Sequence, residues 1–271
     1  MRYLKLYLVS IKRSIISKLE YRKSSYINLF SFLFSNVCSI LSIYFIVNSI
    51  PELKTSEGYI WSAWEIGFLY GFTMLPVALD HLITDELWLV AYRRVKDGSL
   101  DSLFLRPAPT LFLVISETFQ TEAFGELIVG VVMLIVCGLR PEVSILFSFG
   151  NIILFIVAII FGAVIISSLK IIFASFAFKI KSSGPLLQII YNFISYTKYP
   201  LGIYHPIIKG LLTFILPFAI FISFPVEIFL GFSSWNPYIL SSIIIAVAIL
   251  LLFLSITIWN FFERRYESTG S

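Results

Sequence analysis

Residues Ile239 to Phe262 read ILSSIIIAVAILLLFLSITIWNFF, without one Asp, Glu, Lys or Arg. As a helix this run is about 36 Å long at 1.5 Å per residue, enough to cross the roughly 30 Å of hydrocarbon in a bilayer. A helix apolar all round must be buried, in a large core or in lipid. The stretch therefore predicts a membrane span, and it is closed by Arg264 and Arg265.

The rest of the chain agrees. Of 271 residues, 58% are hydrophobic and 13% charged, with a mean hydropathy of +0.92. A soluble domain has about 45–50% apolar and about 25% charged residues, so a single water-soluble globule is excluded. The predicted fold class is an all-α integral membrane protein of six transmembrane helices, with no room for a soluble catalytic domain. A net charge of +4 is too small to indicate a nucleic acid partner. Cys38 and Cys137 lie in apolar runs and read as small hydrophobes.

Working outward, residues 1–26 carry Arg2, Lys5, Lys12, Arg13, Lys18, Arg22 and Lys23, with Leu4, Leu8, Ile11, Ile15 and Leu19 at helical spacing. That pattern predicts an interfacial helix rather than a span or a signal peptide. Spans are expected at 27–50, 59–84, 110–139, 143–178, 184–199 and 239–262. Trp61 and Trp64 sit like an aromatic belt at the start of the second. The fifth crossing has two readings: hydropathy favours Ile207 to Leu230, while the four prolines from Pro200 to Pro225 favour 184–199 followed by a re-entrant segment at 200–231. Broken backbone at membrane depth must be buried in protein or line a cavity.

Basic residues orient the spans. They concentrate before the first span, between the second and third (Arg93, Arg94, Lys96, Arg106), and around the end of the fourth (Lys170, Lys179, Lys181). The positive-inside rule then puts these regions and both termini in the cytoplasm.

Motifs for chemistry are scarce. The chain has no G-x-x-x-x-G-K-[ST] phosphate loop, no H-E-x-x-H and no G-x-S-x-G, so it is not expected to be an enzyme or to hold a metal or cofactor of its own. Ionisable residues in or near spans include Glu65, Asp80, His81, Glu117, Glu122, Glu126 and Glu227. Most lie close enough to a span end to reach water or headgroups. Glu122 and Glu126, four residues apart, share a helix face and are candidates to line a polar cavity. Ala63, Gly67 and Gly71 form a small-residue stripe for close helix packing, within the subunit or between subunits.

The loop at 91–109 is the most specific signal. In Val95-Lys96-Asp97-Gly98-Ser99-Leu100-Asp101-Ser102-Leu103-Phe104-Leu105-Arg106-Pro107, Gly98 permits a sharp turn, Ser99 can cap a helix, Asp101 suits its first turn and Pro107 ends it. A helix of one to two turns would project Leu100, Leu103 and Phe104 together. Those side chains either dock another protein or dip into the headgroups.

The Gly98 to Pro107 string, Tyr21-Arg22 before the first span, and the late Tyr199-Pro200 and Pro217 to Pro225 segment resemble the small permease subunits of the ABC-2 type transporter family, over nearly the whole chain. The resemblance implies six helices after an amphipathic elbow helix, a homo- or heterodimer of permeases in the cell membrane, and a separate dimeric ATPase that binds ATP and Mg. It also implies that the short loop helix is the coupling helix, with Gly98, Leu100, Asp101, Leu103, Phe104, Arg106 and Pro107 as the ATPase-docking residues, and it supports the re-entrant reading of 200–231. It assigns no role to Glu117, Glu122 and Glu126. The expected function is export of an amphiphilic drug, peptide or lipid. The rival expectations are a membrane-embedded lipid-modifying enzyme using those three glutamates, and a non-transporting immunity or scaffold protein.

Overall fold

The structure is a computed structural model and describes residues 2–20, 60–267 and, between them, 27, 30, 31, 34–42 and 45. Eleven of the 24 residues of the expected first span, 27–50, and the Tyr21-Arg22 pair lie outside the described residues. Where described, the fold is helical, with no strand among those residues. The basic N-terminal run forms α1 (Arg2–Glu20), as its apolar spacing predicts. Long helices follow at α2 (Ala63–Thr84), α3 (Ala123–Gly138), α4 (Phe149–Ser175), α5 (Gly184–Tyr196) and α6 (Pro237–Glu263).

Helix starts follow local chemistry. Glu65 closes a capping box: the Ser62 hydroxyl accepts the Glu65 N–H at 3.2 Å, and the Glu65 carboxylate accepts the Ser62 N–H at 2.7 Å. Two otherwise orphaned donors are thus satisfied at the head of α2, so Glu65 serves its own helix end rather than water. Ser62→Ala is expected to cost about 1 kcal/mol, read as a lower thermal midpoint of the purified chain. Ser148 caps α4 through the Asn151 N–H, and Asn236 caps α6 through the Tyr238 N–H, with Pro237 at the first helical position.

The bundle is layered, with α3 against α2, α2 against α4, and α4 against α6. Glycines set the α2–α3 approach. A Cβ on Gly71 would stand 3.0 Å from the Gly130 carbonyl oxygen and one on Gly130 would stand 2.9 Å from that of Gly71; at Gly67 it would meet the Cys137 sulfur at 2.7 Å. Ala63, the third member of the stripe, is half-buried at the start of α2. The face of Gly67 and Gly71 is thus covered by α3 of the same chain.

Among the described residues, three helical stretches are long and apolar enough to cross a membrane, Ala63–Thr84, Phe149–Ile180 and Pro237–Glu263, and a fourth crossing is added if the bent pair Pro206–Ile215 and Phe218–Phe229 counts as one. The expected span 110–139 is not continuous. Thr110–Glu117 ends at Thr118, whose backbone is extended, and α3 restarts at Ala123. The expected span 184–199 holds a helix of only 13 residues. The proline-rich segment breaks where its prolines dictate: Leu216, before Pro217, leaves the α region (φ −114°, ψ 85°) because the proline ring crowds a helical predecessor. The two arms bend by 76°. Its turning point lies beside the middle of α4, where a Cβ on Gly162 would meet Phe221 Cδ2 at 2.3 Å. The second arm returns to the start of α4, where the Leu146 N–H donates to the Phe229 carbonyl at 2.9 Å.

Candidate functional site

The loop after α2 is built by short-range polar contacts. Arg93 Nε meets Asp97 Oδ2 at 3.0 Å one helical turn on, and Asp97 Oδ1 accepts both the Ser99 N–H (3.2 Å) and the Ser99 hydroxyl (2.8 Å). Those bonds from Ser99, with Arg93 behind them, hold the Asp97 carboxyl below the usual carboxylate range. Gly98 takes φ +71°, a turn conformation that only glycine adopts freely. Ser99, expected as a cap, is spent on Asp97, and Leu100 occupies the cap position of the helix Asp101–Phe104.

The orientation of that helix corrects the sequence reading. Leu100 and Leu103 do not project with Phe104; they are 0% and 1% exposed and belong to the core. Consecutive residues are about 100° apart around a helix, so burying Leu103 turns Phe104 to the flank. Phe104 is 39% exposed and the following Leu105 is 88% exposed. The Phe104 ring stacks on Tyr266 at 5.6 Å, and Tyr266 meets Phe178 edge-on at 5.6 Å. Burial, reinforced by the neighbouring Asp101 carboxylate, pushes the Tyr266 phenol up to about 12. Short as it is, the loop helix is thus linked through Tyr266 to Phe178, just past the end of α4. Pro107 and Arg106 follow in a bend, with Arg106 Nη1 3.9 Å from Glu117.

Behind the loop, half-buried Arg94 bonds the carboxylates of both Glu86 and Glu117. Glu126, buried in the first turn of α3, lies 2.7 Å from His81 Nδ1 on α2. Glu122 is half-buried at the cap position of α3. Glu126, a candidate with Glu122 to line a polar cavity, is thus paired with His81, and Glu117, to which the resemblance assigned no role, is paired with Arg94.

One cluster escaped sequence reasoning. Lys170 is not a loop charge: it is fully buried, with Nζ 2.9 Å from Asp80 Oδ2 and 3.7 Å from Asp85 Oδ1. Asp80, also 0% exposed, is not rescued by water; its other oxygen accepts the Ser167 hydroxyl at 2.7 Å and the Thr84 hydroxyl at 2.5 Å. The Tyr191 ring of α5 lies 5.5 Å from the Lys170 ammonium and stacks on His81. A charge buried at membrane depth is costly unless paired, and here the pair ties α2 to α4. Opposite charges near the ends of two predicted spans were the available signal.

The arrangement holds a loop rigidly at one end of an apolar bundle and leaves two hydrophobic side chains in reach of a partner. No curated protein matches the chain significantly. A family model described as ABC-2 family transporter protein matches residues 14–270; a membrane-embedded helical bundle with that match over nearly its full length belongs to the ABC-2 transporter family, and is a transporter's membrane component.

Proposed function

We propose that the chain is the permease subunit of an ATP-driven exporter and that the loop at 91–109 receives the movement of the ATPase. Family membership implies an ABC ATPase partner; ATP and Mg belong on that subunit. The observation that carries the proposal is the loop's construction: Leu100 and Leu103 anchor it in the core, while Phe104 and Leu105 face outward. A knob anchored this way transmits force instead of yielding to it. Gly98 shapes the turn, Asp101 and Tyr266 brace the helix, and Arg106 and Pro107 direct the chain into the next helix.

In this reading six crossings are made, with the first within 27–50 and the third assembled from Thr110–Glu117 and α3. Residues 200–231 form a re-entrant element facing outside, both termini are cytoplasmic, and two permease subunits in the cell membrane enclose the path of an amphiphilic substrate. Switching between inward-open and outward-open states would then be a rigid-body rearrangement of packed helices.

The test is the double variant Phe104→Glu with Leu105→Glu. Both positions are exposed, so the chain should still purify as a folded species, while co-purification of the ATPase and substrate export should fall about tenfold or more, as expected when charges replace apolar anchors at a contact. Unchanged ATPase recovery and export would defeat the assignment.

A further inference from the structure

The last turn of α5 reaches α2 halfway along its length, where Thr73 Oγ1 donates to the Thr197 carbonyl at 3.4 Å. There the α-helix stops, and the backbone from Thr197 to His205 is irregular apart from a single 3-10 turn at Leu201–Ile203. Irregular backbone at membrane depth must be enclosed by protein or line a cavity. The next side chain, Lys198, is half-buried with its ammonium 5.3 Å from the centre of the Tyr70 ring. Tyr70 itself is fully buried and donates its hydroxyl to Asn36 Oδ1 at 3.3 Å, so the ring is fixed from behind.

Lys198 differs from Lys170. Lys170 is neutralised by Asp80, whereas no ion pair among the described residues includes Lys198. Glu126, a carboxylate whose field reaches it, is committed to His81. An aromatic face attracts an ammonium but does not neutralise it, and an ionisable side chain at this depth marks a substrate or ion pathway by default.

We propose that Lys198, seated on the Tyr70 ring where α5 breaks, is the recognition point for the negatively charged head of an amphiphilic cargo, a carboxylate or phosphate carried on an apolar chain. This rests on the permease reading and narrows its substrate class. The ammonium supplies charge-assisted hydrogen bonds to the head, Tyr70 fixes the ammonium, and the surrounding apolar bundle takes the chain.

The experiment uses the full chain in phosphatidylcholine nanodiscs with radiolabelled oleate, oleyl phosphate and oleyl alcohol. At least one of the two anions should bind saturably. Lys198→Met and Lys198→Gln should weaken that binding about tenfold or more, Lys198→Arg should retain it, and oleyl alcohol should be indifferent to the substitution; matched thermal midpoints establish that the variants are folded. Absence of saturable anion binding, or anion binding unchanged in both neutral variants, would overturn the proposal. Displacement of the anion by added phosphatidylglycerol would give the site to a membrane lipid and overturn its assignment to cargo. Co-purification of the ATPase with the same preparations separates the two readings: a retained ATPase with no Lys198 effect leaves the permease standing and removes this site, and the converse removes the permease assignment alone.

Discussion

Lys170→Met is expected to remove most of the folded protein. The substitution leaves Asp80 fully buried with its hydroxyl donors but without its counter-charge, and stranding one partner of a buried ion pair costs about 3–5 kcal/mol. That is a large fraction of the total stability of an ordinary domain. Fluorescence-detected size-exclusion after a heating series should show a sharply lowered midpoint, or little monodisperse protein at all. The double variant Asp80→Asn with Lys170→Met should recover much of the loss, because removing both charges together is often close to neutral. A single variant as stable as the unaltered chain would show that the pair contributes nothing.

Gly162→Leu is expected to stop export while leaving the ATPase attached. A Cβ at this position would stand 2.3 Å from Phe221 Cδ2 and 2.9 Å from Cε2. Phe221 cannot swing aside easily, since it is fully buried and meets Phe218 edge-on at 6.1 Å. Overpacking of this kind costs about 1–3 kcal/mol, and the strain falls on the bend of the proline-broken segment rather than on the loop at 91–109. Export should therefore drop about tenfold or more with ATPase co-purification unchanged. Pairing the substitution with Phe221→Ala should restore part of the activity. Full export in Gly162→Leu would mean that the bend has no part in transport.

How much of this was legible in sequence depended on the range of the interaction. The uncharged run at Ile239 to Phe262 became α6 with its ends displaced by only a residue or two, because an apolar length and a proline at the first turn are local signals. The loop helix was also found, since Gly98 and Pro107 punctuate it. Its orientation was not, because a single turn carries no periodicity to say which flank faces the core, and Leu103 went inward. The break at Thr118 was missed since neither glycine nor proline marks it. Lys170 was misread for a different reason: its partner lies 90 residues away in sequence, and a charge count along the chain sees the lysine but not the pair. Glu126 and His81, 45 residues apart, were hidden in the same way.

The base of α5 offers no slack. The Ser183 N–H donates to the Ala91 carbonyl at 2.8 Å, and the Tyr92 ring lies so close over Gly184 that an added Cβ would sit 2.3 Å from it. In mechanical terms α5 is a stiff rod, about 20 Å long over its 13 residues, clamped at one end to the loop and carrying Lys198 just past the other. A rod so clamped works as a lever: a tilt imposed at its foot is delivered at its tip, with no flexible joint between them to absorb the stroke.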